Sequence, residues 1–182
     1  MTHPLFVPFT IKTITRNTTK KEPFDFCNSL KKLCTLRSVE NLLYFLNHVN
    51  FDHIEGITDI SIFKEGIEPL WEDKSNISGG KWIIKLRREV STRLFQKLLI
   101  RMVRQPFDKI DVNGIVISFR MKNVILAVWT KDSTGKDRFK DVLMEIKKVL
   151  DIKFFLSVEY KDNDESLKDN SSFRNTKNLY VQ

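Results

Sequence analysis

The chain has 182 residues, 41% of them hydrophobic, which fits one globular domain with its own core. No apolar run approaches the ~20 residues of a membrane span, and the start "MTHPLFVPFT" lacks the basic-then-apolar order of a secretory signal. A net charge of +8 favours a polyanionic partner such as nucleic acid, although a solvated lysine-rich surface explains it equally well.

In chain order, residues 1–8 read as an N-terminal arm and Phe9–Thr15 as a strand. Cys27 and Cys34 have no metal-type spacing and read as reduced thiols, which points to the cytoplasm, with the nucleus as a second location. Ser29–Leu36 reads as a second strand. Ser38 is a good N-cap for a helix that puts Val39, Leu42, Leu43, Leu46 and Val49 on one stripe, with His48 near its end. A strand around Ile60–Phe63 precedes a polar loop. In that loop Trp71 follows Pro69 and precedes Glu72 and Asp73, acids that read as solvated. Lys81–Arg88 alternates around Trp82, Ile84 and Leu86. Residues 89–105 form the second helical pattern, with Leu94, Phe95, Leu98, Leu99, Met102 and Val103 inward, and Pro106 ends it. Ile115–Arg120 and Val124–Thr130 flank Lys122-Asn123, a tight hairpin link. A third helix covers 136–151 and a strand Lys153–Tyr160. The polar run Lys161–Asn175 reads as a mobile surface loop.

One-faced helices and mostly antiparallel strands give an α+β class, one sheet with helices on one side. If Lys122-Asn123 is a two-residue turn, Arg120 lies opposite Ile125. Ser118 and Arg120 then share a face with Ile125, Ala127 and Trp129, because side chains two apart point the same way. A base-binding site needs aromatic faces, an acceptor for the base edge and cations for phosphates. Trp71, Glu72, Trp129, Arg120 and Lys122 are of those types. The residues alone leave open that Trp71 is only a half-buried loop anchor. No Walker loop, nucleophile elbow or histidine cluster appears among His3, His48 and His53, so no enzyme and no cofactor or metal is expected.

The sequence resembles the eukaryotic translation initiation factor 4E family of mRNA cap-binding proteins. The resemblance is carried by "HPL" (His3–Leu5), "SVENLLYFLNHV" (Ser38–Val49), "SIFKEGIEPLWEDKSNISGGKW" (Ser61–Trp82), "SFRMKNVILAVWT" (Ser118–Thr130) and "NTKN" (Asn175–Asn178). It implies one domain over 1–182, a curved, mostly antiparallel sheet with three long helices on its convex face and a cap site on the concave side. It also implies a 7-methylguanosine base stacked between Phe26 and Trp71, with Glu72 reading the base edge and Trp129 touching the methyl group. Arg120 and Lys122 would hold the triphosphate, assisted by Lys168 or Arg174. Phe24 replaces Phe26 if the loop Thr18–Pro23 shifts register.

Departures from the family pattern imply a divergent member. Phe26 stands for the usual tryptophan, Ile125 for a phosphate-binding lysine and Phe9 for an early tryptophan. On the helical back, Pro4 and Val39 match the surface that docks an initiation scaffold protein of the 4G type or an inhibitory binding protein. There Leu43 replaces a tryptophan, Gln96 a leucine and Lys97 a glutamate, and the acid-to-lysine change is expected to repel the usual basic partner residue. The implied function is a monomeric protein that binds capped mRNA for translation initiation. The alternatives are a cap-binding translational repressor or an interaction adaptor with weakened cap binding.

Overall fold

The computed structural model describes residues 2–16, 26–152, 156–171 and 176–181. Eight strands form one sheet, antiparallel throughout: β1 (Pro4–Arg16), β2 (Lys31–Ser38), β3 (Ile57–Lys64), β4 (Gly80–Leu86), β5 (Val112–Phe119), β6 (Val124–Thr130), β7 (Leu156–Asp162) and β8 (Lys177–Val181). Their order across the sheet is β2-β1-β3-β5-β6-β4-β7-β8. The helices are α1 (Phe26–Ser29), α2 (Val39–His48), α3 (Arg88–Arg104), α4 (Phe139–Leu150) and α5 (Asn163–Asp169).

The three long helical patterns become α2, α3 and α4, and the α+β architecture stands. Ser38 caps α2 as its sequence position implies, its hydroxyl accepting from the Asn41 amide at 3.3 Å. The buried side of α2 is Leu42 and Phe45, however, while Val39 and Leu43 face outward. The i, i+3, i+4 stripe was drawn one position too far round the helix. In α3, Leu94, Phe95, Leu98, Leu99 and Met102 pack inward, as the pattern requires. Together with Phe139, Val142, Leu143, Ile146 and Leu150 of α4, they cover the sheet face carrying Trp82, Ile84, Ile115, Ile117, Leu126 and Val128. This is the main core.

Three segments differ from expectation. Pro4–Pro8 is no separate arm but the start of β1, anchored where Pro4 pairs with Ser38 and the Val39 amide donates to the His3 carbonyl. Lys161 and Asp162 complete β7, and Asn163–Asp169 coils into α5 with Asn163 and Ser166 buried, where one long surface loop was expected. The polar composition misleads because these side chains bond inward: Asn163 to the Asn76 carbonyl at 2.8 Å, Ser166 to the Asp162 carbonyl at 3.1 Å. Finally, the β5–β6 turn is centred on Met121-Lys122. Phe119 pairs with Val124, and Ser118, not Arg120, lies opposite Ile125. The true register differs from the expected one by two residues, so the faces are unchanged.

Candidate functional site

The sheet face opposite α2, α3 and α4 forms the floor of a cavity of about 600 Å³. Its walls include Phe26 from α1, Trp71 and Glu72 from the β3–β4 loop, and Trp129 from β6. Arg120 lies at the end of β5 and Lys81 in β4. A second depression, of about 590 Å³, lies on the helix side between α4 and Asp108-Lys109. It is lined by mixed charges with no aromatic ring.

The loop that presents Trp71 and Glu72 is fastened from inside. The Asp73 carboxylate accepts from the Glu68 and Ser75 amides, each at 2.8 Å. Fully buried Asn76 donates to the carbonyls of Glu68 (2.8 Å) and Leu70 (2.9 Å). Asn113 of β5 donates to the Ser75 carbonyl (2.5 Å) and the Asn76 side-chain oxygen (3.0 Å), and Asn163 at the start of α5 donates to the Asn76 carbonyl (2.8 Å). Asp73 is therefore a structural acceptor rather than a solvated acid. The loop closes onto Gly79, where any Cβ would overlap the Thr130 carbonyl oxygen. Trp71 and Glu72 thus sit on a rigid frame. Glu72 is exposed, and no described residue hydrogen-bonds to its carboxylate.

Trp129 belongs to a small apolar cluster on this face with Phe63 and Ala127, against which Trp71 also packs. The Phe63 ring meets Trp129 edge-on, centroids 5.5 Å apart. Gly114, which pairs with both residues, permits this; a Cβ there would overlap the Phe63 ring. Lys81 pairs with Trp129 across the sheet. Its ammonium lies 4.7 Å from the Trp71 centroid and 4.9 Å from that of Trp129. Burial, with the Lys161 ammonium beside it, lowers the Lys81 pKa to about 7. Lys161 is itself buried, donating to Asp169 at 2.7 Å and to the Ser171 carbonyl at 3.0 Å.

The structure brings Phe26, Trp71, Glu72, Trp129 and Arg120 into one cavity, as the family resemblance implies. Arg120 is paired with Asp59, Nη1 to Oδ1 at 2.5 Å. Lys122 lies on the exposed turn and does not line the cavity. Neither does Lys168, exposed on α5 and 3.4 Å from Asp164. Asn170 and Ser171, just beyond α5, line it instead. Arg174 and Phe24 lie outside the described residues. Ile125 is part of the lining, so the floor is apolar at that point.

Two cavity cations escaped the sequence reading, Lys81 and Arg16. Both had a signal. Trp82, Ile84 and Leu86 facing the core puts Lys81 on the opposite face, and one more step of alternation along β1 reaches Arg16.

On the helix side, Pro4, Val39 and Leu43 form one surface next to His3, whose ring bonds Glu40 at 2.7 Å. That bond, with one from Ser38, holds the Glu40 carboxyl well below its usual range. Gln96 lies half-buried on α3. The Lys97 ammonium donates to the Leu150 carbonyl at 2.9 Å and to Asp151 at 3.1 Å, closing the C-terminus of α4. No helix among the described residues is long and apolar enough to cross a membrane.

The family model described as Eukaryotic initiation factor 4E matches residues 4–178. The chain is 36% identical to the translation initiation factor NCBP of Oryza sativa subsp. japonica, over 96% of this chain and 77% of that one. It is 31% identical to translation initiation factor 4E-4 of Caenorhabditis elegans, over 96% and 83% respectively. Among solved structures, C. elegans eIF4E-3 in complex with the 4E-binding protein Mextli superposes with a TM-score of 0.80 at 25% identity. That match covers 92% of this chain and 97% of the other. Ascaris suum eIF4E-3 in complex with the m7G cap gives 0.74 at 25% identity, covering 89% and 92%.

Proposed function

This chain belongs to the eukaryotic initiation factor 4E family, whose members are non-enzymatic translation factors, and from that premise we propose that it binds the 7-methylguanosine cap of mRNA in the cavity on the sheet face opposite the three long helices. The observation that carries the reading is the convergence there of three aromatic rings, a carboxylate with no hydrogen-bond partner among the described residues, and basic side chains. A methylated guanine is cationic at its base and anionic at its phosphates. Trp71 and Phe26 offer π faces to the cationic ring, worth ~0.5–2 kcal/mol as a cation–π contribution. Glu72 accepts from the ring N–H and amino group, with the strength of a charged acceptor. Trp129 contacts the methyl group, and Arg120 holds the phosphates. Lys122, one turn beyond Arg120, reaches them only from the rim.

Titration of the intrinsic tryptophan fluorescence with 7-methyl-GTP and with GTP tests this. Quenching with a clear preference for the methylated nucleotide is expected. Equal weak affinity for both refutes methyl-dependent recognition.

A second reading, a cap-binding repressor, is favoured by the helix side. Gln96 and Lys97 stand where the family presents a leucine and a glutamate to a scaffold protein of the 4G type. Capture from the native cell separates the two roles: a scaffold with helicase supports initiation, and an inhibitory binding protein alone supports repression.

A further inference from the structure

The cleft has a cation that the phosphate assignment above does not use. Arg16, the last residue of β1, lines the cavity with Arg120 and Phe26. Its guanidinium carbon lies 6.0 Å from the Phe26 ring centroid. Sheet register fixes where it stands. Arg16 pairs with Ile57 of β3, and Thr58 pairs with Phe119 of β5. Arg16 and Arg120 are therefore level with each other, two strands apart, on the same face. At the usual strand spacing their backbones are about 10 Å apart. Two long guanidinium side chains at that separation reach toward a common point between them.

Other basic groups described on this face have carboxylate or aromatic neighbours away from that point. Lys12 pairs with Glu68 and Lys85 with Glu159. Lys81 lies buried against the two tryptophans. Ile125 makes the floor between β5 and β4 apolar. An anionic chain leaving a base stacked on Phe26 and Trp71 therefore meets its cations at the Arg16–Arg120 level rather than at the floor.

We infer that Arg16 is a phosphate-binding residue of this cleft, gripping the phosphate chain from the Phe26 side while Arg120 grips it from β5. The inference rests on the cap-binding reading and adds a residue to it. A guanidinium suits the task because its planar fork bonds two oxygens of one phosphate and keeps its charge at every physiological pH. Asp59, on the strand between those of the two arginines, is bonded to Arg120 and adds a negative charge to this part of the cleft.

The test is the R16Q variant of the full chain, with folding checked by thermal melting, titrated with 7-methylguanosine and with 7-methyl-GTP at two salt concentrations. R16Q is expected to weaken 7-methyl-GTP by 5- to 30-fold and to shallow its salt dependence, while changing 7-methylguanosine by less than twofold. R16K recovers part of the loss. Equal loss for nucleoside and triphosphate overturns the inference, because Arg16 then acts only by propping Phe26; no loss for either overturns it too. Wild-type protein that binds 7-methyl-GTP and GTP alike sinks the methyl-base reading instead. R16Q then still tests the phosphate contact, through GTP against guanosine.

Discussion

The Lys81 ammonium sits 4.7 Å from the centroid of the Trp71 ring, almost wholly withdrawn from water. A cation inside an aromatic cleft proposed to take a cationic base has a measurable cost. Its pKa falls from 10.5 to about 7, chiefly through burial and secondarily through Lys161. Between those values the unfolded chain holds a proton that the folded chain does not, so stability rises with pH across that window. Below pH 7 both states are protonated and the penalty is complete, roughly 5 kcal/mol at ~1.36 kcal/mol per pH unit between 10.5 and about 7. Urea unfolding of wild type and Lys81→Met at pH 6 and pH 9.5 checks it. The variant is expected to be the more stable at pH 6, with the gap much narrower at pH 9.5. A gap independent of pH contradicts the assignment.

Glu72 is exposed, so its removal tests recognition with little effect on the fold. Glu72→Gln keeps the shape and one acceptor oxygen but loses the charge. Hydrogen bonds to a charged group contribute ~1.5–3 kcal/mol. Affinity for 7-methyl-GTP is expected to fall roughly 10- to 100-fold, with the preference over GTP largely gone, while the melting temperature stays within about 2 °C. Retained discrimination in a fluorescence titration means that Glu72 does not read the base.

Phe26 is the weaker of the two rings proposed to stack on the base. Phe26→Trp enlarges the π face and is expected to tighten 7-methyl-GTP binding by roughly 3- to 10-fold, a gain of ~1 kcal/mol. Calorimetry on both proteins measures it. Unchanged affinity places the ring off the base.

Asn76 joins three parts of the molecule through its side chain and carbonyl. Asn76→Ala removes the side-chain donor to the Glu68 and Leu70 carbonyls and one of the two acceptors of the Asn113 amide; a buried polar group left unsatisfied costs ~1–3 kcal/mol. A loss of about 3 kcal/mol in urea unfolding is expected. The surviving folded protein should bind 7-methyl-GTP more weakly because Trp71 is no longer fixed. Full stability in the variant means that other contacts hold the loop.

This network also marks the limit of reading the sequence. The helices and the β5–β6 faces are periodic features, and period survives even when the register is misjudged by two residues. Trp71, Glu72, Trp129 and Arg120 are legible because their types match the ligand's chemistry and a family pattern carries them. Asp73, Asn76, Asn113 and Asn163 look like ordinary polar loop residues. Their role comes from long-range pairing of β3–β4, β5 and β7, which no local pattern records. Composition alone made α5 a loop for the same reason.

The last test concerns Lys97, where two effects oppose each other. Its ammonium closes the C-terminus of α4 through the Leu150 carbonyl and Asp151. Lys97→Glu places an acid against Asp151 and the negative end of that helix, costing roughly 1–2 kcal/mol of stability. The same change restores the acid that the family presents to a basic residue of its partner helix. A peptide of the standard tyrosine- and leucine-containing motif is therefore expected to bind wild type weakly and the less stable Lys97→Glu variant more tightly, by about 3- to 10-fold if the restored pair is worth up to ~1.5 kcal/mol. Fluorescence anisotropy of the labelled peptide reads both affinities, and urea unfolding reads both stabilities. Tight binding to wild type, abolished by Leu43→Ala or Lys97→Glu, means that this surface already accepts the standard motif and that Lys97 does not repel it.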